Sequence, residues 1–168
     1  VTYEASTYYP PPFEWPAELD FRASGMEATQ AIQGWDMIGP TDALLNHQVP
    51  LVAGKKTLVR VYGTVSGIDT PVPDVGCRLR AYTDATLATQ LAGSPIYASD
   101  RATLVPGETY LEQRLDPDKT FNFILPSEWI QPGTIYLRAT VNHFAGIPEA
   151  DFDVFNDTDV YEVRFNDT

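Results

Sequence analysis

Five oxygen donors crowd one stretch near the end of this chain: Asp151, Asp153, Asn156, Asp157 and Asp159. A hard cation such as calcium takes about six to eight oxygen ligands, and loops of this composition supply them in extracellular β-proteins. The stretch lacks the central glycine and terminal glutamate of an EF-hand loop. The same crowding therefore also suits a solvated hairpin, and both readings stay open. No other cofactor is expected.

Other chemistry finds little material. The two histidines, His47 and His143, stand in a loop and at a strand end. No His-Glu-x-x-His helix, Gly-x-Ser-x-Gly elbow or phosphate loop is present, so neither a metal-bound water nor an activated serine is indicated. The lone cysteine, Cys77, cannot form an intrachain disulfide. It shares an aliphatic strand face with Val75, Leu79 and Ala81, so a buried, inert thiol is expected. No catalytic residue is assigned, and a non-enzymatic protein is expected.

Recognition is the richer possibility. Strands alternate their side chains between two faces. With aliphatic residues turned inward, Arg78, Arg80 and Tyr82 point outward on one strand, Tyr136 and Arg138 on a second, and Glu162 and Arg164 on a third. Arginine and tyrosine are the types that interfaces favour. This face would dock a neighbouring domain, a protein or a glycan. The alternative is that its arginines pair with the chain's own acids, including Glu14, Glu18 and Asp20. Trp15, Trp35 and Trp129 are the tryptophans that could stack on a sugar, although packing is the commoner use, and Trp129 is expected to plug the core.

These side chains need strands to position them, and the chain reads as strands almost throughout. Alternation marks 57–65, 75–83, 120–125, 134–142 and 159–166, with a first strand over Glu27–Trp35. Two short strands are expected at Ile96–Ser99 and Tyr110–Arg114. Gly-Pro and Pro-Gly pairs punctuate the intervals. The loop at 36–48 has room for one helical turn over Thr41–Leu45. About seven to nine short strands predict an all-β immunoglobulin or fibronectin-III-like sandwich over 21–168. The Pro- and aromatic-rich segment 1–20 is an arm or linker that favours polyproline II.

The formal net charge of −12 over 168 residues excludes nucleic acid as a partner, because phosphates would be repelled. It also disfavours an anionic membrane surface, and the apolar runs are too short for membrane insertion by a helix. The chain opens at Val1, which reads as a mature or excised piece of something longer. Nine tyrosines against eleven Lys and Arg suit an extracellular or cell-surface setting. Asn156-Asp157-Thr158 and Asn166-Asp167-Thr168 match the glycosylation acceptor pattern, which is idle in a bacterial protein.

Three stretches carry a family resemblance. Trp129-Ile130-Gln131-Pro132-Gly133-Thr134-Ile135-Tyr136 resembles the bend before the sixth strand of fibronectin type III domains, with Tyr136 as the corner tyrosine. Val141-Asn142-His143, followed by Ile147-Pro148-Glu149 and Asn156-Asp157, is similar to the end of bacterial adhesion-related, CARDB-like domains. There an acidic hairpin joins the last two strands. The segment 49–61 is like one in Ig-like modules that flank secreted bacterial peptidases. The resemblance implies a non-catalytic module of an exported bacterial protein, acting in adhesion, spacing or domain presentation. Its alternative is a carbohydrate- or protein-binding accessory domain of a secreted hydrolase.

Overall fold

A computed structural model describes residues 14–30, 51–143 and 146–167. The expectations for Trp35, His47, the loop at 36–48 with its helical turn, and the first thirteen residues of the arm fall outside these. The described residues form ten strands: β1 (Asp20–Thr29), β2 (Leu51–Val52), β3 (Leu58–Ser66), β4 (Val72–Val75), β5 (Cys77–Tyr82), β6 (Ile96–Tyr97), β7 (Ala102–Leu104), β8 (Phe121–Ile124), β9 (Gly133–Val141) and β10 (Tyr161–Asn166). One short helix, α1 (Tyr110–Arg114), lies between β7 and β8.

The strands build an all-β sandwich. One sheet has the order β1-β3-β8, the other β2-β10-β9-β5-β6, and β4 pairs with β7. All pairings are antiparallel except that of β2 with β10. The inward positions predicted from alternation close the core: Val59, Val61 and Val65 of β3, Cys77 and Leu79 of β5, Leu137 and Ala139 of β9, Val163 and Phe165 of β10. Burying one such aliphatic or phenyl side chain contributes about 1.5–3 kcal/mol. Cys77 is enclosed as expected, and burial pushes its thiol well up. Trp129 is 1% exposed and donates its indole N–H to the Ala92 carbonyl at 2.7 Å, so it plugs the core.

Three expectations need correction. The first strand starts at Asp20 rather than Glu27, and the described residues end it at Thr29. Phe21, Met26 and Ala28 supply its inward face, with a bulge between Ala23 and Gly25 breaking the phase that alternation would reveal. Tyr110–Arg114 is helical, not extended. Thr109 accepts from the Glu112 amide while Glu112 accepts from the Thr109 amide, a reciprocal capping box that outweighs the strand preference of tyrosine. The interval before the helix also holds β7, whose partner β4 precedes β5.

The described end of the arm, 14–19, lies against the sandwich. Leu19 is fully buried and Trp15 packs on the core. Gly67, just after β3, has φ +77°, and a Cβ there would stand 2.0 Å from the Glu18 carbonyl oxygen. Gly54, at φ +79°, has open space around it. Gly67→Ala is therefore expected to cost at least about 2 kcal/mol, against about 1 kcal/mol for Gly54→Ala, which meets only the left-handed backbone strain. Urea unfolding of the two variants checks this. Equal losses would mean that the segment before Asp20 yields without cost.

Candidate functional site

The ladders bring the outward arginines and tyrosines onto one surface. Arg80 stands opposite Arg138 and Tyr82 opposite Tyr136 across β5 and β9. Glu162 faces Tyr136 across β9 and β10, and Arg78 faces Tyr97 across β5 and β6. This juxtaposition follows from the period of two applied to four adjacent strands. Tyr136 holds its outward position.

These residues are not equally available. Tyr82 is only 5% exposed, because Tyr136 faces it on one side and Gln90 bridges it on the other. It is therefore part of the packing, not of an open surface. Arg80 turns to the chain's own acid: its guanidinium is 3.7 Å from Asp157 and donates to the Thr140 hydroxyl at 3.2 Å. Arg138 donates its Nε–H to the Thr158 carbonyl at 3.2 Å. Arg164 is exposed. Asp20, one of the acids expected to serve this face, pairs instead with Arg22 at 3.4 Å.

The five oxygen donors are not gathered at one point. Asp153 caps a 3-10 turn at 154–156, accepting from the Phe155 amide at 2.8 Å. Asn156 is fully buried, and its side-chain amide donates to the Val141 carbonyl and to both oxygens of Glu149, each at 3.1 Å. Asp157 accepts from Thr140 at 2.5 Å. Asp151 bonds the Asp153 side chain, which raises its pKa. Asp159 stands apart, lining a groove. Among the described residues, no three His, Cys, Asp or Glu side chains converge as a metal cluster. The structure spends most of these donors on holding the hairpin, because a polar loop laid over a sheet must satisfy its backbone groups.

That groove is a feature the sequence does not announce. It has a volume of about 530 Å³ and runs between residues 22–26 of β1 and the loop Val154–Tyr161, with Arg138 at its side. β1 is an edge of its sheet among the described residues, and residues 22–26 of that strand line the groove. Across from them, Val154 is 74% and Phe155 52% exposed. The Arg22 guanidinium sits 4.5 Å above the Phe155 ring, a cation–π contact that holds the ring at the mouth. Asp157 and Asp159 balance Arg22 and Arg138 across the groove. Phe155 was legible only as an apolar residue stranded in an acidic loop. Arg22 carried no signal.

Glu149 fastens this loop to the body. Its carboxylate accepts from the Phe21 amide at 3.2 Å and from the side chains of Asn142 and Asn156. Burial pushes the carboxyl up, against the pull of these bonds. Asn142 holds φ +53° at the end of β9, and its side chain bonds both backbone groups of Ile147 at 2.9 Å.

No family model matches the chain, and no curated protein matches it. Its structure is similar to the solution structure of the CARDB domain of PF1109 from Pyrococcus furiosus, with a TM-score of 0.46 and 15% identity. The alignment covers 89% of this chain and 96% of that domain.

Proposed function

We propose that this domain is a non-catalytic Ig-like binding module of an exported bacterial protein, which docks a neighbouring domain or partner through an extended polypeptide segment. The groove beside β1 carries the reading. An edge strand offers unpaired N–H and C=O groups to an incoming strand, and the exposed apolar side chains of the facing loop offer pockets for alternate residues. The bulge at Ala23–Gly25 re-aims the edge at this point, a device common beside binding sites. Adhesion, spacing and domain presentation all call for such a surface. Arg138, which lines the groove, links it to the outer Arg–Tyr face.

Selection of a random peptide-display library on this chain tests the reading. The expected winners are extended peptides with alternating apolar residues. The double variant Val154→Asp, Phe155→Asp is expected to keep its melting temperature, since both side chains are exposed, and to lose at least about tenfold in affinity for those peptides. No enrichment above background, or equal binding by the double variant, overturns it.

A further inference from the structure

The hairpin that walls the groove holds apolar side chains out in water. Four of the eight exposed large hydrophobic residues among the described residues lie on it: Phe152, Val154, Phe155 and Val160. Single exposed apolar residues are ordinary, but a concentration of this kind marks a contact surface. The backbone beneath is pinned. The Thr158 amide donates to the Ala139 carbonyl at 2.9 Å, and the Ala139 amide donates to the Thr158 hydroxyl at 3.0 Å. Apolar groups carried on a fixed backbone lose little further entropy when a partner covers them.

Acids are interleaved with these residues. The lining of the groove is balanced, with Asp157 and Asp159 against Arg22 and Arg138. Its mouth is not. Asp151 lies against Asp153, and Asp20 and Arg22 both act on it. Arg22 already pairs with Asp20 at 3.4 Å, and Arg80 stands 3.7 Å from Asp157. Around the groove, five carboxylates (of Asp20, Asp151, Asp153, Asp157 and Asp159) thus stand against three guanidiniums. Asp151 and Asp153 repel each other when both are ionised, and a cation laid beside them removes that repulsion.

On the reading of the groove as the docking site, we propose that its occupant is a basic strand, with apolar residues alternating with lysine or arginine. Alternate residues of a strand point to opposite sides. The apolar set lies on Val154 and Phe155. The other set turns to the rim, where long cationic side chains reach the carboxylates at the mouth. The excess of acid at the groove makes this pairing complementary, and the net charge of −12 on the whole chain steers such a segment toward it.

Three end-capped heptapeptides test the occupant: valine alternating with lysine, with serine and with glutamate. Heptalysine is the polycation control. The lysine–valine peptide is expected to bind at least about tenfold more tightly than the serine–valine peptide, as the sum of several exposed ion pairs, and the glutamate–valine peptide more weakly than either. Raising the salt from about 0.05 to 0.5 M should narrow the gap between the first two. So should the double variant Asp151→Asn, Asp159→Asn, by about threefold or more; both side chains are exposed. Equal affinity for the three alternating peptides overturns the basic assignment and leaves the groove reading standing. No binding by any of them overturns both. A gap that the double variant leaves unchanged overturns the placement of the cations at the mouth. Heptalysine binding as tight as that of the lysine–valine peptide overturns the proposal in favour of unspecific attraction to an acidic chain. Lysine–valine binding that survives Val154→Ser, Phe155→Ser, a change that adds no charge, does the same.

Discussion

Replacing Arg114 with methionine is expected to lower the unfolding free energy by about 3–5 kcal/mol, the usual result of stripping one partner from a buried ion pair. The Arg114 guanidinium is 3.3 Å from Glu27, and the two side chains are only 6% and 12% exposed. The Glu27 carboxylate also accepts from the Tyr62 hydroxyl at 2.8 Å, and Tyr62 is fully buried beneath the helix, edge-on to Tyr110 at 5.0 Å. Burial, with Glu27 adding to it, pushes the Tyr62 hydroxyl far up, so it stays protonated and donating. Without Arg114 the carboxylate keeps one neutral donor in a place water barely reaches. Glu27→Gln should cost less than Arg114→Met, because the amide oxygen still accepts from Tyr62 and no bare anion remains. Joint replacement of Glu27 by leucine and Arg114 by methionine should recover much of the loss, since a matched apolar pair removes both desolvation penalties. Urea midpoints for the three variants decide the matter. An Arg114→Met variant within about 1 kcal/mol of the parent would show that the pair is solvated in solution.

The second large effect concerns the loop that frames the groove. Asn156→Asp changes no shape, yet it places a carboxylate 3.1 Å from Glu149 and turns an acceptor toward the Val141 carbonyl. Two carboxylates in one buried site, with a lost donor, are expected to cost about 3–5 kcal/mol at neutral pH. The sign of the pH dependence follows from the direction of the shifts. Burial already raises the Glu149 carboxyl, and a neighbouring acid would raise both further. A group whose folded pKa is raised contributes stability that is full below its unfolded pKa and is lost as the pH rises through the folded value. Acidification from pH 7 to about 4 should therefore narrow the gap between variant and parent by letting the pair share a proton. A gap that stays constant or widens over that range would falsify the shared-site account. Because the same carboxylate holds Phe21 and Asn142, the variant should also loosen Val154–Tyr161, read as faster amide exchange there.

Both effects hinge on partners that lie far apart in the chain. Glu27 meets Arg114 through the β1–β3 ladder and a helix laid on its outer side. The alternation in β3 shows Tyr62 facing away from the core, but not that a second layer covers it. The capping box that starts that layer, Thr109-x-x-Glu112, was legible and points to a helix. A strand reading of Tyr110–Arg114 fails because tyrosine and leucine serve either state and five residues set no period.

The sequence by itself determined which residues share a face. Side-chain alternation is a local property of extended backbone, so Arg78 with Arg80, Tyr136 with Arg138 and the inward Cys77 follow from spacing alone. Likewise, the concentration of acids and turn residues marked the 149–159 hairpin. What only the tertiary structure decided is which of these groups remain free for a partner. Arg80 is taken by Asp157, Tyr82 is closed in, and the side-chain oxygens of Asp153, Asn156 and Asp157 are spent on the Phe155 amide, the Asp153 amide and the Thr140 hydroxyl. Availability is the outcome of a competition among distant segments for the same donors and the same buried space. It is settled by topology and register, which no local pattern encodes.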